Sequence, residues 1–218
     1  MTSRIRILTV DDQPLIRMGF RMVLESEPDL EVVGEAADGE DAVAKASSLQ
    51  PDVVLMDVRM PGVDGIAATR RILDLHPRIR VLILTTFDLD EYAFAALRAG
   101  ASGFLLKDAH AHELLAAIRA VHQGDAVTSP RVTRRMLELL GDRLPCGDGD
   151  ALSAAALTDR EHDVLLAIAE GLSNGEIAQR LSVAESTVKT HVGRVLAKIG
   201  ARDRVHAVIF AYENGLAR

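Results

Sequence analysis

The stretch Ile5-Arg6-Ile7-Leu8-Thr9-Val10-Asp11-Asp12 sets the pattern for the first half of the chain: a short apolar run that stops at two carboxylates. Runs of this length and composition are typical of buried strands. Four more follow, separated by segments with helical periodicity. The strands are expected at 5–10, 32–34, 53–56, 81–84 and 104–106, and the helices at 14–25, 39–49, 64–74, 89–99 and 111–122. Five strands alternating with five helices predict a parallel α/β sheet.

The composition of the 218-residue chain excludes several classes of protein. Hydrophobic residues make up 48%, which is enough for packed cores, but every apolar run is far shorter than the roughly 20 residues that span a bilayer. The amino terminus reaches Asp11 before an export signal could be completed. The single cysteine, Cys146, rules out an internal disulfide and a thiolate zinc site. We therefore expect a cytoplasmic protein without membrane contact.

The pattern changes after the α/β region. Residues 125–153 are rich in glycine and turn-forming residues, with a helix predicted at 132–140, and we interpret them as a linker. From Thr158 to the end of the sequence the periodicity is helical. The predicted organisation is an α/β domain over residues 1–124, a linker with a partial helix over 125–153, and an all-α domain over 154–218.

Two capping boxes divide the all-α domain. Thr158 with Glu161, and Ser173 with Glu176, match the S/T-x-x-E pattern in which a hydroxyl and a carboxylate satisfy backbone N–H groups at a helix start. Each box starts a separate helix. Four helices are expected: one from Thr158 to about Gly171, then 174–181, 185–199 and 204–214.

Polar side chains follow four of the predicted strands. Asp11 and Asp12 follow the first strand, Asp57 the third, Thr85 the fourth and Lys107 the fifth. These strand ends share one edge of a parallel sheet, so the side chains can converge. Clustered carboxylates repel one another unless a cation lies among them, and oxygen ligands suit Mg²⁺. The pattern predicts a magnesium site.

The same cluster predicts phosphoryl chemistry. An aspartate beside a metal can attack a phosphoryl group, and we take Asp57 as this nucleophile. Lys107 would supply a positive charge to the phosphoryl oxygens and Thr85 a hydrogen bond. Taken singly, Lys107 and Thr85 are better explained as an ordinary surface lysine and an ordinary strand-end threonine. An aspartyl phosphatase is a rival, but such enzymes typically carry a second carboxylate two residues after the nucleophile, where this chain has Arg59.

A basic segment stands out within the acidic chain, whose net charge is −7. Residues 180–204 contain six basic residues and only two acidic ones: Arg180, Lys189, Arg194, Lys198, Arg202 and Arg204 against Glu185 and Asp203. Any contact with a phosphate backbone belongs here.

The helix at 185–199 carries this charge on one face. Its apolar face consists of Val188, Val192, Val195 and Ile199, and its opposite face of Ser186, Lys189, Thr190, Gly193 and Arg194. A tight turn at 181–183 joins it to the short helix before it. This arrangement is typical of a helix-turn-helix whose second helix enters the major groove, although a solvated polar face would give the same pattern in a single helix.

One face of the last helix leaves two interpretations open. Val205, Val208, Ile209 and Tyr212 lie on one side of the predicted helix. They could belong to the domain core or form part of a dimer interface.

Residues 4–122 resemble the receiver domain of two-component response regulators. The resemblance rests on four segments: Val10-Asp11-Asp12, Leu55-Met56-Asp57-Val58-Arg59-Met60-Pro61-Gly62-Val63-Asp64-Gly65, Leu84-Thr85-Thr86-Phe87 and Gly103-Phe104-Leu105-Leu106-Lys107-Asp108. It implies a flavodoxin-like fold of five parallel strands.

The resemblance also implies residue roles. Asp57 would be the phosphoacceptor. The magnesium ligands would be Asp11, Asp12, Asp57 and the backbone carbonyl of Arg59. Thr85 and Phe104 would be the switch residues, and Lys107 would be the phosphate-sensing lysine. Pro61 and Gly65 are expected to shape the loop after the acceptor, Gly65 because it tolerates backbone conformations that other residues resist.

Residues 154–218 resemble the LuxR-type DNA-binding domain. The segments are Leu157-Thr158-Asp159-Arg160-Glu161, Glu170-Gly171-Leu172-Ser173-Asn174-Gly175-Glu176-Ile177-Ala178 and Ser186-Thr187-Val188-Lys189-Thr190-His191-Val192. A receiver followed by this domain resembles the NarL/FixJ class. The resemblance implies Lys189 and Thr190 as groove-facing residues and Lys198 and Arg204 as phosphate contacts. Together with the free face of the helix, the DNA-binding candidates are Ser186, Thr187, Lys189, Thr190, Arg194, Lys198 and Arg204.

These observations predict a transcriptional response regulator controlled by phosphorylation of Asp57, with a sensor histidine kinase as donor and double-stranded DNA as ligand. The resemblance implies a homodimer on paired half-sites. We expect no enzyme activity beyond the receiver's own phosphoryl transfer and autodephosphorylation. The alternative is a DNA-binding regulator whose receiver acts as a phosphorylation-independent dimerisation module.

Overall fold

The computed structural model of the chain describes residues 4–85, 92–123 and 157–216, with side chains from residue 95 onward in the second range. These residues fall into two compact units, one within residues 1–127 and one within 128–218. The predicted linker at 125–153, with its helix at 132–140 and Cys146, lies outside the described residues.

The first unit is the predicted α/β domain. A five-stranded parallel sheet has the strand order β2-β1-β3-β4-β5. In chain order the elements are β1 (Ile5–Val10), α1 (Pro14–Glu25), β2 (Leu30–Ala36), α2 (Gly39–Leu49), β3 (Val53–Asp57), α3 (Gly65–Leu75), β4 (Arg80–Thr85), α4 (Tyr92–Arg98), β5 (Gly103–Leu106) and α5 (Ala111–His122). The predicted receiver fold is confirmed.

Both faces of the sheet are buried, which explains why the inner strands are continuous apolar runs. Every residue of the central strand β3 is buried. Leu55 and Leu82 lie in one core cluster with Leu24 of α1 and Ile118 of α5. The alternate residues of the same strands, such as Met56, are also completely buried. The sheet is therefore a rigid platform whose carboxyl edge holds the polar side chains that follow the strands.

The strand bounds differ most from prediction at the edge of the sheet. β2 runs over Leu30–Ala36, whereas the apolar run predicted only 32–34. Glu31 is exposed and Glu35 is half-buried, because an edge strand is covered less completely than a central one and tolerates charges. Apolar periodicity alone therefore underestimated its length.

Within residues 157–216, the described part of the second unit, the chain forms four helices, as predicted. They are α6 (Asp159–Ala169), α7 (Asn174–Leu181), α8 (Glu185–Ile199) and α9 (Arg204–Glu213). Both predicted capping boxes are present, at Thr158 for α6 and Ser173 for α7. Ser182 follows α7 with a left-handed backbone, φ 54°, and makes the tight turn into α8.

Packing in this unit centres on α6, which contacts both α8 and α9. The buried residues include Leu165 and Ile168 of α6, Ile177 of α7 and Val188 and Val195 of α8. The apolar face predicted for α8 is thus turned inward, which leaves its opposite face exposed. Across the described parts of the chain, we find no helix with the length and apolar character that crossing a membrane requires.

Candidate functional site

Three carboxylates converge at the carboxyl edge of the sheet. Asp11, Asp12 and Asp57 each place one oxygen within 4.8 Å of the others. Asp11 and Asp57 are 1% and 5% exposed, whereas Asp12 is open to solvent. The site is therefore a pocket with two buried acids and one accessible acid at its mouth.

Lys107 bridges the two buried acids. Its Nζ lies 2.7 Å from Oδ2 of Asp11 and 2.9 Å from Oδ2 of Asp57. Its backbone N–H donates to the carbonyl of Thr85 at 2.8 Å, which ties the end of β5 to the end of β4. Because the side chain is only 9% exposed, its positive charge acts on the acids through little solvent.

The pKa values show how tightly these charges are coupled. Burial raises the pKa of Asp57, and the nearby charge of Asp11 adds to this; the hydrogen bonds from Lys107 and the Arg59 backbone oppose it without cancelling it. Burial works to lower the pKa of Lys107, but its hydrogen bonds and attraction to Asp11 and Asp57 outweigh burial and leave that pKa raised. Lys107 is therefore a firmly charged ammonium that only partly compensates the acids.

The donor set fits a hard divalent cation. Three carboxylates face one ammonium, so the pocket keeps an excess of negative charge, and carboxylate oxygens are the ligands that Mg²⁺ prefers. Asp12 gives an ion access from solvent. The residues that would hold it are Asp11, Asp12, Asp57 and, by family resemblance, the carbonyl of Arg59.

A glycine brings the loop after the acceptor against Asp57. A Cβ on Gly65 would lie 1.9 Å from the backbone oxygen of Asp57, and the N–H of Gly65 donates to the carbonyl of Val58 at 3.0 Å. The predicted reason for Gly65 was wrong: its φ is not positive, whereas that of Gly62 is 77°. Gly65 is needed for close approach of the backbone, which sequence patterns do not reveal.

The two predicted switch residues lie at the adjacent strands. Asp57 pairs with Leu84 in the register of β3 and β4, so Thr85 comes one residue beyond the level of the acceptor and is 6% exposed. Phe104 pairs with Ile83 and is 3% exposed. Thr85 thus ends its strand at the edge where the acids lie, and Phe104 is packed inside the fold.

Sequence reasoning missed the groups that orient Asp11. Its Oδ1 accepts the backbone N–H of Gln13 at 2.9 Å, and its carbonyl accepts Nη1 of Arg17 at 2.5 Å. Arg17 is in turn paired with Glu35 of β2 at 3.2 Å. Gln13 acts through its backbone, which no side-chain motif could have revealed, and Arg17 looks like an ordinary charged residue of a surface helix.

The second site is the exposed face of α8. Ser186, Thr187, Lys189, Thr190 and Arg194 are all exposed. Lys189 lies 3.6 Å from Glu185, a loose surface pair that costs little to open. The face is therefore available to a ligand, as the helical wheel predicts.

The other two DNA-binding candidates are engaged within the domain. Nζ of Lys198 lies 2.7 Å from Oε2 of Glu161, and the nearly buried Arg204 donates to the carbonyl of Leu172 and, at 3.1 Å, to Oδ1 of Asn174. These contacts were not anticipated, because partners 30 or more residues away do not appear in a local pattern. Phosphate contact by Lys198 and Arg204 stays a prediction.

The candidate dimer residues on α9 divide into two kinds. Val205 and Val208 are 1% and 4% exposed, so they belong to the domain core. Ile209 and Tyr212 are half-buried, and burial raises the pKa of the Tyr212 hydroxyl. The sequence left a core and a dimer interface open as interpretations, and for the two valines the structure supports the core.

Comparison with known proteins identifies the families of both domains. The response regulator receiver domain family matches residues 7–119, and the LuxR family of bacterial regulatory proteins matches residues 155–211. The transcriptional regulatory protein YxjL of Bacillus subtilis is 45% identical over 216 residues, 99% of each chain. The transcriptional regulatory protein LiaR of the same organism is 40% identical over 97% of this chain and 99% of its own.

A solved structure of similar organisation is the response regulator ChrA of a heme-sensing two-component system. It is 36% identical, with 99% of this chain and 100% of that chain covered, at a TM-score of 0.53. Two family matches in this order, and relatives similar over nearly their whole length, establish that this chain is a DNA-binding two-component response regulator of the LuxR family.

Proposed function

We propose that the protein is a transcriptional regulator whose affinity for DNA is controlled by phosphorylation of Asp57, with a sensor histidine kinase as phosphoryl donor. The observation that carries the proposal is the Lys107 ammonium held 2.7 and 2.9 Å from two buried carboxylates, Asp11 and Asp57. A receiver that served only as a dimerisation module would gain nothing from burying mutually repelling acids.

The geometry supports a direct transfer. A carboxylate oxygen of Asp57 attacks phosphorus, an acyl phosphate bond forms, and the phosphorus–nitrogen bond to the kinase histidine breaks, with the electron pair leaving on the imidazole nitrogen. Lys107 is already placed to follow the charge from the carboxylate onto the new phosphoryl oxygens. A bound Mg²⁺ would neutralise charge on the transferring oxygens.

Transfer changes the electrostatics of the sheet edge. The phosphoryl group adds about −1.5 to −2 charges and three acceptor oxygens. The Thr85 hydroxyl and Lys107 can then be drawn towards the phosphoryl group. This movement would shift the conformational equilibrium of the face from α4 to α5, which contains Phe104.

We expect no catalysis on external substrates. Hydrolysis of the acyl phosphate by water returns Asp57 to its free carboxylate, so the chain catalyses only its own phosphoryl transfer and autodephosphorylation. Two residues after the acceptor, where such phosphatases typically carry a second carboxylate, this chain has Arg59, which disfavours a phosphatase. The absence of a second cysteine fits the cytoplasm.

DNA binding is assigned to the exposed face of α8, with Ser186, Thr187, Lys189, Thr190 and Arg194 as its direct contacts. In a helix-turn-helix the second helix lies in the major groove, and two copies bind half-sites about 34 Å apart. We propose that the protein is a homodimer in its active state. The half-exposed Ile209 and Tyr212 of α9 are candidates for the dimer interface.

Incubation with acetyl phosphate and Mg²⁺, followed by intact-mass measurement, tests the acceptor. The wild-type chain should gain one phosphoryl group, Asp57→Asn none, and Asp74→Asn, which changes an exposed acid of α3, as much as the wild type. Equal gain by Asp57→Asn would refute Asp57 as acceptor. No gain by any chain would favour the phosphorylation-independent alternative.

A further inference from the structure

The first turn of α6 contacts both helices of the helix-turn-helix. Nη2 of Arg160 donates to the backbone carbonyl of Leu181 at 2.8 Å. Leu181 is the last residue of α7. One side chain of α6 therefore reaches the point where α7 ends and the turn begins.

The carbonyl that Arg160 contacts is one that α7 cannot satisfy itself. The last four carbonyls of a helix lack partners within the helix. Immediately afterwards, Ser182 adopts a left-handed backbone with φ 54°, a conformation that costs energy for any residue except glycine. The guanidinium bond thus supports the strained turn that directs the chain from α7 into α8.

The next residue, Glu161, reaches the other helix. Its Oε2 accepts Nζ of Lys198 of α8 at 2.7 Å, and also the backbone N–H and hydroxyl of Thr158 at 2.9 and 3.0 Å. The carboxylate is only 5% exposed. Because successive side chains of a helix point about 100° apart, Arg160 and Glu161 can hold two different helices.

We propose that Arg160 and Glu161 are positioning residues for DNA recognition: they fix the turn and the C-terminal half of α8 relative to α6, and contact no base themselves. Base contacts tolerate displacements of only about 0.5 Å and 10–20°. Contacts with phosphates depend mainly on charge and tolerate more. Loss of positioning should therefore reduce selective binding more than non-selective binding.

The test uses full-length protein, a duplex that the wild type has selected from a random-sequence library, and a mixed-sequence duplex as competitor. Arg160→Met should weaken binding to the selected duplex about tenfold, on the scale of losing one base contact, and binding to mixed sequence less than twofold. Arg160→Lys, which can still donate to the Leu181 carbonyl, should recover most of the loss.

The dependence of affinity on salt separates positioning from direct contact. If Arg160 contacted phosphate, Arg160→Met would reduce the magnitude of the salt slope by about 1; positioning leaves the slope unchanged. A double-mutant cycle of Glu161→Gln and Lys198→Met tests the bond between Glu161 and Lys198. Glutamine is chosen for position 161 because it still fits the capping box.

The proposal is overturned if the salt slope falls in Arg160→Met, if both duplexes lose affinity equally, or if neither does. It is also overturned if the Glu161→Gln and Lys198→Met effects on selectivity add independently. If circular dichroism shows that Arg160→Met has lost its helix signal and is unfolded, the proposal is tested by Arg160→Lys and by the double-mutant cycle of Glu161 and Lys198.

Discussion

The acidic pocket and the exposed face of α8 use charge in opposite ways. In the pocket, residues from the ends of β1, β3 and β5 meet, and Lys107 is 9% exposed. On α8, the charges come from a single helix, and Lys189 is 57% exposed. A buried lysine is bound into the fold, whereas an exposed one is free for a ligand. The same substitution should therefore have opposite consequences in the two places.

The largest contrast is expected between two glycines. Gly65→Ala places a Cβ 1.9 Å from the backbone oxygen of Asp57 and should lower the free energy of unfolding by about 3 kcal/mol, the upper end for overpacking. Gly193→Ala on α8 meets nothing within 4 Å and should raise it by up to about 1 kcal/mol through helix propensity. Urea unfolding of both variants checks this, and a stable Gly65→Ala would contradict the close approach.

Two lysines give the next contrast. Lys107→Met leaves Asp11 and Asp57 without their shared cation and should cost about 3 kcal/mol of unfolding free energy, as is usual for breaking a buried pair. Lys189→Met should change it by less than about 0.5 kcal/mol. Mg²⁺ should stabilise both variants but Lys107→Met more, because its pocket has lost one positive charge. Equal stability of the two variants would contradict the claim that Lys107 stabilises the fold and Lys189 does not.

When DNA affinity is measured in place of stability, substitution of the exposed Lys189 should have the larger effect of the two lysines. Lys189→Met should weaken binding to DNA and reduce the magnitude of the salt slope by about 1, because this groove-facing cation displaces a counterion from the DNA. Arg70→Met, on the exposed surface of α3, is the matched control and should leave the slope unchanged. A normal slope in Lys189→Met would remove this residue from the interface.

The smallest effect concerns pH. Hydrogen bonds from Lys198 and Thr158 lower the pKa of Glu161 to about 2. A carboxyl whose folded pKa lies below its unfolded value stabilises the fold fully above the unfolded value and loses this contribution as pH falls towards 2. The difference in thermal midpoint between wild type and Glu161→Gln should therefore be largest near pH 7 and shrink below about pH 4.5. A difference that is constant down to pH 3 would contradict the shift.

The sequence predicted the features that depend on periodicity and topology. Parallel strands bring their carboxyl ends to one edge, so the meeting of Asp11, Asp12, Asp57 and Lys107 followed from the parallel arrangement of the strands. The capping boxes at Thr158 and Ser173 are local and were predicted correctly for the same reason.

Features that depend on tertiary packing could not be predicted. The close approach of Gly65 to the Asp57 backbone and the pairing of Lys198 with Glu161 join groups whose proximity exists only after folding. The edge strand β2 was underestimated because its charged residues interrupt the apolar run. Val205 and Val208 were equally compatible with a core and an interface until packing buried them.

In the proposed function, phosphorylation of Asp57 in the pocket changes the affinity of α8 for DNA. The direct measurement is the dissociation constant for the selected duplex before and after treatment with acetyl phosphate and Mg²⁺, with phosphoryl content determined by mass on the same sample. We predict that wild-type affinity rises at least about fivefold, the lower range of allosteric coupling, and that Asp57→Asn does not respond. Unchanged affinity in a fully phosphorylated wild type, or an equal rise in Asp57→Asn, would contradict the account.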